Sequence, residues 1–332
     1  MDDSNTILEV SHISKTFRSK NIFGRTTSEV SAVNDVSFRL QKQRTFGIVG
    51  ESGCGKSTLA RLVLRLIEAD GGRVMYQGHN LLALGGEELR KLRRDIQMVF
   101  QDPFSSLNPS MTLLDNVAFP LWVNGTSKQD GRIAAHRYLE AVGIPRSSAE
   151  RYPQSLSGGQ RQRVAIARAL VLEPKIVIAD EAVSALDKSI QAQALNLFHE
   201  LQQDFRLSMI FISHDLHVVE LMSDTVMVMY LGMVVEVASV EDVYAQPYHP
   251  YTQALFKSTP SMDVTHKKLD GFKLSGELPS PLNPPSGCRF RTRCPMAMET
   301  CAEHMPELIE VGDGHTVACH LYGEADVARR AI

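Results

Sequence analysis

Residues 50–58 read GESGCGKST and match the pattern G-x-x-x-x-G-K-[ST], which binds phosphate groups. The glycines of such a loop let backbone N–H groups surround phosphate oxygens, and the following helix N-terminus adds its dipole. Lys56 is expected to reach the β- and γ-phosphates, and Ser57 to offer its hydroxyl to Mg²⁺. The predicted phosphate-binding residues are Gly50, Ser52, Gly53, Cys54, Gly55, Lys56, Ser57 and Thr58.

Two adjacent carboxylates, Asp180 and Glu181, follow the apolar run KIVIA at residues 175–179. Because α/β sheets present ligand-facing groups at the carboxyl ends of their strands, this pair is placed to act on a bound phosphate. Asp180 is predicted to hold the Mg²⁺ shell through water, and Glu181 to polarise the water that attacks the γ-phosphate. The alternative is a solvated acidic pair that ends a strand.

The elements that must position these groups follow from the apolar pattern. TFGIVG at residues 45–50 reads as a buried strand, and apolar residues at helical spacing from Leu59 to Ile67 predict a helix after the loop. Further strands are predicted at residues 96–100, 175–179 and 208–213. Strands that alternate with helices predict an α/β fold with a parallel sheet.

A change in amino-acid composition divides the chain into a body and a C-terminal tail. Between the second and third of these strands lies a segment without a comparable strand, which predicts a helical subdomain at about residues 102–163. A hairpin is predicted around Leu231–Gly232. Proline-rich sequence then indicates a boundary, which gives a nucleotide-binding domain at residues 1–245 and a C-terminal extension at residues 246–332.

Composition limits the classes of partner. The 332 residues are 43% hydrophobic, which is enough for a substantial core, and 35 Lys plus Arg stand against 38 Asp plus Glu. The net charge of -3 gives no basic field of the kind that gathers nucleic acid, so no nucleic acid partner is expected. No run reaches the ~18 apolar residues of a membrane span, and we expect a soluble, cytosolic chain.

The sequence LSGGQRQRVAIARAL at residues 156–170 resembles the signature of ABC-type ATPases, carried by Ser157, Gly158, Gly159 and Gln160. Two glycines and a serine that open a helix suit a second anion site. The resemblance implies a P-loop ABC ATPase core, with a RecA-like parallel sheet and an antiparallel β part, and Mg²⁺ and ATP as cofactors. It also implies a head-to-tail dimer in which the signature binds ATP held by the opposite subunit.

Other motifs of these ATPases have matching residues here. The resemblance assigns Gln101 to the loop that senses Mg²⁺ and the attacking water, Asp187 to the dimer interface, and His214 to γ-phosphate contact and the positioning of Glu181. Phe17 is expected to stack on adenine, with a core position as the alternative. Ala182 departs from the proline that commonly follows the glutamate, which leaves the carboxylates intact.

The tail segments HPYTQALFKSTP and KLSGELPSPLNPPSGCRFRTRCP resemble the C-terminal extension of ATP-binding subunits in bacterial dipeptide and oligopeptide permeases. The resemblance implies a motor at the cytoplasmic face of the inner membrane, peripheral to it. Its implied partners are a second, related ATPase subunit, two transmembrane permease subunits and an extracytoplasmic solute-binding protein. The alternatives are the same motor for nickel or another small solute, and a soluble ABC ATPase outside transport.

Four of the chain's five cysteines lie in the tail, at Cys288, Cys294, Cys301 and Cys319. Four thiolates suit an iron–sulfur cluster or Zn²⁺, and the gaps of five, six and seventeen residues are wider than usual between paired zinc ligands. Unliganded or disulfide cysteines are the third possibility. The permease resemblance implies a [4Fe-4S] cluster. The arginines between these cysteines are predicted to offset its charge or to be solvated: Arg289, Arg291 and Arg293.

Overall fold

The computed structural model describes residues 5–20, 26–258, 276–312 and 314–323, and these residues form two compact units. The signature unit comprises the described residues up to Ile7, Leu40–Thr45 and Ala83–Ser213. The P-loop unit comprises Leu8–Arg39, Phe46–Leu82 and the described residues from His214 onward. The boundary predicted at residue 246 stays a prediction, and 259–275 and 324–332 of the extension, including parts of both quoted tail segments, lie outside the described residues.

The elements of the two units are numbered along the chain. The strands are β1 (Thr6–Lys20), β2 (Thr26–Gln41), β3 (Thr45–Val49), β4 (Gly71–Tyr76), β5 (His79–Asn80), β6 (Ile96–Val99), β7 (Ile176–Asp180), β8 (Ser208–Ser213), β9 (Thr225–Tyr230), β10 (Met233–Ser239), β11 (Ile309–Gly312) and β12 (His315–Val317). The α-helices are α1 (Lys56–Val63), α2 (Gly86–Leu92), α3 (Pro103–Ser106), α4 (Leu113–Val123), α5 (Lys128–Ala141), α6 (Gly158–Leu170), α7 (Lys188–Phe205), α8 (Leu216–Met222), α9 (Val240–Ala245), α10 (Pro250–Ser258) and α11 (Thr300–Glu303).

The signature unit carries three parallel strands in the order β8, β7, β6. Every residue of β7 and β8 is buried, as expected for parallel strands that are covered on both faces. These strands confirm the predictions for residues 96–100, 175–179 and 208–213 within one or two residues. The segment between β6 and β7 is helical, with α3, α4 and α5 followed by α6.

The P-loop unit contains a mixed sheet in the order β11, β12, β10, β9, β3. β3 runs parallel to β9, whereas β10 and β12 add antiparallel strands. The predicted hairpin joins β9 to β10, with left-handed φ angles of 45° at Leu231 and 82° at Gly232 that suit a tight two-residue turn. A separate sheet in the order β2, β1, β4, β5 supplies the expected antiparallel part.

The helix predicted after the loop is shorter than its apolar pattern suggested. α1 ends at Val63, and Arg65 adopts a left-handed φ of 49°, which the helix cannot continue through. Leu66 is therefore 46% exposed, and the prediction that it and Ile67 extend the helix was wrong. Within the described ranges no helix has the length and apolar character needed to cross a membrane.

An aromatic cluster joins the tail to the sheet of the P-loop unit. Three aromatic side chains are each at most 1% exposed: Tyr230 on β9, Tyr251 on α10, and Phe290 in the cysteine segment, residues 288–301. Their ring centroids lie 4.6 Å apart for the two tyrosines, 5.3 Å for Tyr230 and Phe290, and 5.4 Å for Tyr251 and Phe290. Aromatic rings at such separations bury large apolar areas, so the tail and the strand share one core.

A buried carboxylate fixes the start of α10. Glu236 on β10 is fully buried and accepts hydrogen bonds from the backbone N–H groups of Tyr248 (2.7 Å) and His249 (3.0 Å) and from Nε2 of His315 on β12 (2.7 Å). Nδ1 of His249 accepts a hydrogen bond from the backbone N–H of Tyr251 (3.0 Å) and caps the helix. Because each Glu236 oxygen has a partner, its burial is compensated.

The buried His249 makes stability depend on pH. Burial lowers its pKa from 6.5 to about 4, so the unfolded chain binds a proton between these values that the folded chain does not. The contribution of neutral His249 to stability is therefore present above pH 6.5 and is lost as the pH falls toward 4. For H249N, whose amide oxygen still caps α10, we expect the fall in Tm between pH 7 and pH 5 to be smaller by about 4 °C than for the wild type.

Thermal unfolding of both full-length proteins at the two pH values measures this difference. H217N serves as the control, since His217 is exposed in the first turn of α8. An equal fall in Tm for H249N and the wild type would contradict the assignment.

Candidate functional site

The predicted phosphate loop lies between β3 and α1, as the motif requires. Lys56 is only 3% exposed, and its Nζ donates hydrogen bonds to the carbonyl oxygens of Gly50 (2.7 Å) and Glu51 (3.1 Å). These bonds hold the ammonium group inside the loop. Ser52 and Gly53 are exposed at the loop tip, and Ser57 and Thr58 are half-buried in the first turn of α1.

Two glycines allow the loop to pass close to neighbouring backbone. A Cβ on Gly50 would lie 2.2 Å from the carbonyl oxygen of Met229, and one on Gly55 would lie 2.1 Å from that of Ala32. Neither position tolerates a side chain without a backbone shift. At Gly53 a Cβ would meet no atom within 4 Å, so the loop tip leaves open space beside its backbone. Such a glycine loop before a helix N-terminus fits a bound phosphate group.

Two further predicted nucleotide residues lie in the P-loop unit. Cys54 is 1% exposed, and burial raises the pKa of its thiol, which agrees with a space-filling role in the loop. Phe17 on β1 is 44% exposed, with Nζ of Lys15 5.7 Å from its ring centroid, so the alternative that it is a core residue was wrong. Its stacking on adenine stays a prediction.

In the signature unit Asp180 ends β7 and Glu181 follows it directly. Both are nearly buried, at 3% and 9% exposure, so the alternative of a solvated acidic pair was wrong. Glu181 adopts a left-handed φ of 47°, an uncommon conformation for a residue other than glycine. Its backbone N–H donates to the carbonyl oxygen of Ile212 (2.9 Å), and its own carbonyl accepts from the hydroxyl of Ser184 (2.9 Å). Strand β8 and the turn that follows Glu181 therefore hold the backbone of Glu181.

Gln101 contacts the carboxylate of Glu181. The Nε2 atom of Gln101 donates a hydrogen bond of 2.8 Å to Oε2 of Glu181, although the two residues are 80 positions apart in the chain. The structure thus brings together two of the predicted catalytic residues. An amide donor on one carboxylate oxygen orients the carboxylate, as a base that acts on water requires.

The predicted signature opens α6 with a capping box. Oγ of Ser157 accepts from the backbone N–H of Gln160 (3.3 Å), and Oε1 of Gln160 accepts from the backbone N–H of Ser157 (3.1 Å). Gly158 and Gly159 are the first helical residues. Asp187 is the exposed residue that precedes α7, and His214 is exposed directly after β8 and belongs to the P-loop unit.

The tail cysteines influence one another without forming a ready metal centre. Burial, with smaller contributions from the neighbouring thiols of Cys288, Cys294 and Cys301, raises the pKa of Cys319 to about 12. The backbone N–H of Cys288 donates to the carbonyl oxygen of Cys301 (2.8 Å), and all five cysteines are free thiols in this structure. In the parts of the chain that the structure describes, no three His, Cys, Asp or Glu side chains are grouped to hold one metal ion. The cysteine geometry therefore gives no support to the predicted cluster.

The tail arginines have partners that the sequence did not indicate. Arg293 is 8% exposed and donates from Nη1 and Nη2 to the two carboxylate oxygens of Glu51, at 2.7 and 3.0 Å. Arg289 donates to the carbonyl oxygen of Leu231, and Arg291 to that of Ser286. The alternative that all three are solvated charges was therefore wrong for Arg293, and their role beside a cluster stays a prediction. Glu51 and Arg293 lie too far apart in sequence for local spacing to reveal the pair.

Comparison with protein families gives two matches. Residues 33–184 match the family described as ABC transporter, and residues 235–301 match the family described as oligopeptide/dipeptide transporter, C-terminal region. The first range contains the phosphate loop, the signature and both carboxylates. The second contains the end of β10, α10 and three of the tail cysteines.

Individual relatives cover nearly the whole chain. The oligopeptide transport ATP-binding protein AppF of Bacillus subtilis is 50% identical over 96% of this chain and 98% of its own length. The probable peptide ABC transporter ATP-binding protein y4tS of Sinorhizobium fredii is 50% identical over 90% of this chain and 85% of its own.

Solved structures match the body of the chain. The ATP-binding cassette MJ0796, a dimer in a post-hydrolysis state with ADP and Pi, has a TM-score of 0.63 at 29% identity and covers 70% of this chain and 98% of its own. The cbiO1 protein of Clostridium perfringens, part of the transporter complex cbiONQ, has a TM-score of 0.62 at 27% identity and covers 73% of this chain and 92% of its own. Both matches are α/β cassettes, in agreement with the fold described above.

Proposed function

Since this chain belongs to the ABC transporter family, we propose that it is the ATP-hydrolysing subunit of an importer for dipeptides and oligopeptides. The observation that carries the proposal is the match of residues 235–301 to the C-terminal region of oligopeptide and dipeptide transporters. The identity of 50% to an oligopeptide transport ATP-binding protein over 96% of the chain supports it. The chain is an ATPase, and peptide import is the work to which we assign its hydrolysis.

The phosphate loop binds the triphosphate of ATP in this proposal. Its backbone N–H groups donate hydrogen bonds to the phosphate oxygens, and Lys56 exchanges its bonds to the loop carbonyls for bonds to the β- and γ-phosphates. Phe17 stacks on the adenine. Mg²⁺, when bound, offsets the charge that develops on the transferred phosphoryl group. The hydroxyl of Ser57, the carboxylate of Asp180 and the amide oxygen of Gln101 are oxygen donors of the kind that Mg²⁺ prefers.

Hydrolysis itself depends on Glu181. Its carboxylate takes the proton of the attacking water. Gln101 orients this carboxylate through the hydrogen bond of 2.8 Å. His214 contacts the γ-phosphate and positions the same carboxylate. The electrons of the water oxygen form the new bond to phosphorus as the bond to the β-phosphate oxygen breaks, and ADP and phosphate leave.

Dimerisation explains the remaining motif. Ser157, Gly158, Gly159 and Gln160 form a helix N-terminus that suits the γ-phosphate of ATP held by the partner subunit. Asp187 lies at the interface in this arrangement. A solved cassette with TM-score 0.63 is a dimer with ADP and Pi, which supports the assembly.

The partners follow from the class of transporter. We assign the chain to the cytoplasmic face of a membrane, where it works with two transmembrane permease subunits and an extracytoplasmic solute-binding protein. The second ATPase subunit is proposed to be related and not identical. ATP binding closes the pair of ATPases, closure moves the membrane subunits, and hydrolysis resets them.

The variant E181Q tests the assignment of the base. Glutamine keeps the size and the hydrogen bond to Gln101 but accepts no proton, so we expect steady-state phosphate release by the assembled complex to fall about 100-fold or more. ATP affinity should stay close to that of the wild type, so that ATP accumulates on the protein. E200Q on the exposed face of α7 is the matched control. Phosphate release by E181Q at the wild-type rate would refute the assignment.

Transport by the reconstituted complex tests the proposed cargo. The chain is purified with its native membrane and binding-protein partners, placed in proteoliposomes, and assayed for ATP-dependent uptake of labelled dipeptides, oligopeptides and Ni²⁺. We expect peptide uptake that K56A abolishes, because Lys56 holds the phosphates. Uptake of Ni²⁺ without uptake of peptides would contradict the proposed cargo, and a chain that co-purifies with no membrane subunit would contradict the proposed role in transport.

The [4Fe-4S] cluster, with Zn²⁺ as its alternative, stays a prediction for Cys288, Cys294, Cys301 and Cys319. Anaerobic purification followed by assays of iron, acid-labile sulfide and zinc per chain tests it. Iron with matching sulfide, lost in C294S and kept in C54S, would establish the cluster. If no metal is bound, thiol titration of the denatured chain should count five free thiols, the four of the tail and Cys54.

A further inference from the structure

The phosphate loop carries an acidic side chain, Glu51, directly after its first glycine. The loop binds a strongly anionic ligand, and a carboxylate close to phosphate groups repels them. Its side chain is 26% exposed, so water screens only part of this charge. Some other group must offset the carboxylate if the loop is to bind a nucleotide well.

Arg293 of the tail offsets it. The guanidinium bonds both carboxylate oxygens of Glu51, at 2.7 and 3.0 Å, in the planar two-pronged geometry that arginine forms with carboxylates. The Arg293 side chain is 6% exposed, so the pair is poorly screened by salt. The guanidinium group of arginine keeps its positive charge throughout the physiological pH range.

The tail region also holds the backbone of Glu51. Its N–H donates to the hydroxyl of Tyr251 on α10 (2.9 Å), and its carbonyl accepts from Nζ of Lys56 (3.1 Å). Nη1 of Arg293 lies 3.4 Å from the hydroxyl of Tyr230, which packs on Tyr251. One loop residue is thus fixed by its side chain, its N–H and its carbonyl, and the C-terminal part of the chain supplies the first two contacts.

A purely structural role explains this arrangement poorly. A buried ion pair is weak evidence for stability, because removing two charges from water costs much of what their attraction provides. The Nε atom of Arg293 is also buried and has no hydrogen-bond partner among the described residues, which adds to the cost. The position of the pair in the phosphate loop points instead to a role in nucleotide binding.

We propose that Arg293 is a positioning residue of the nucleotide site: it neutralises Glu51 and fixes the phosphate loop, so that the C-terminal extension sets nucleotide affinity. The inference rests on the proposed function in one respect, namely that this loop binds the phosphates of ATP. It adds to that function a residue of the tail, 242 positions from its partner.

Binding of Mg²⁺-ADP to the full-length chain, measured by titration calorimetry, tests the proposal without hydrolysis. For R293Q we expect the Kd to rise about tenfold, because Glu51 is left unpaired in the loop. E51Q should bind at least as tightly as the wild type. The double variant E51Q/R293Q should return to within about threefold of the wild type, since it carries neither charge. R293K, which keeps the charge, should lie between the wild type and R293Q.

Controls separate this proposal from the function on which it rests. R291Q changes an arginine two positions away that bonds the carbonyl oxygen of Ser286, and it should bind as the wild type does. K56A should lose binding, and failure of the wild type itself to bind Mg²⁺-ADP would refute the proposed function. Wild-type affinity in R293Q, or a double variant as weak as R293Q, would overturn the role of Arg293 and leave the function intact. If R293Q does not fold, E51Q decides the question, because weaker binding of Mg²⁺-ADP by E51Q than by the wild type would also overturn the proposed role of Arg293.

Discussion

The close approach of the phosphate loop to neighbouring backbone is the constraint on which the P-loop unit depends. Gly50 and Gly55 bring the loop so near the carbonyl oxygens of Met229 and Ala32 that a methyl group would collide with either. The backbone N–H of Gly232 also donates to the carbonyl oxygen of Cys54 (2.8 Å), so the tip of the hairpin fixes the loop from another side. Because a backbone held this way cannot adjust much, the loop keeps one conformation, and the N–H groups that we propose to bind phosphate are organised in advance.

The C-terminal extension contributes to the same arrangement. α10 and the cysteine segment place Tyr251 and Phe290 against Tyr230 on β9, in a single aromatic core beneath the loop. β12 adds a strand beside β10, and the buried Glu236 bonds the backbone that leads into α10. A segment with this many buried contacts is part of the folded unit. The residues of the extension therefore have to fit the contacts around the phosphate loop, in addition to any ligand of the cysteines.

The signature unit fixes the position of Glu181, the carboxylate that we propose as the catalytic base. Glu181 takes an uncommon left-handed backbone conformation, which turns the chain sharply at the end of β7. Ile212, Ser184 and Gln101 supply hydrogen bonds that offset the cost and orient the side chain. The residue after Glu181 is Ala182, which is 2% exposed, and this small buried side chain fits the turn. The carboxylate is thus fixed by tertiary contacts on both its backbone and its side chain.

The sequence by itself determined the local features: the phosphate loop, the buried strands at β3, β6, β7 and β8, the hairpin, the signature and the carboxylate pair. Each of these is a short pattern whose physical meaning lies in adjacent residues, such as a run of apolar side chains or glycines at fixed spacing. The family followed from the order of these patterns. The length of α1 was overestimated, because the spacing of apolar residues does not show that Arg65 adopts a left-handed backbone conformation.

Only the tertiary structure decided which distant residues meet. The pair of Glu51 and Arg293 spans 242 positions, and the contact of Gln101 with Glu181 spans 80. An arginine among cysteines reads in sequence as a solvated charge or a partner of a metal cluster, and only the fold of the tail directs it to the phosphate loop. The physical reason is that a charged side chain carries no periodic or local signal of its partner, since that partner is set by packing of the whole unit.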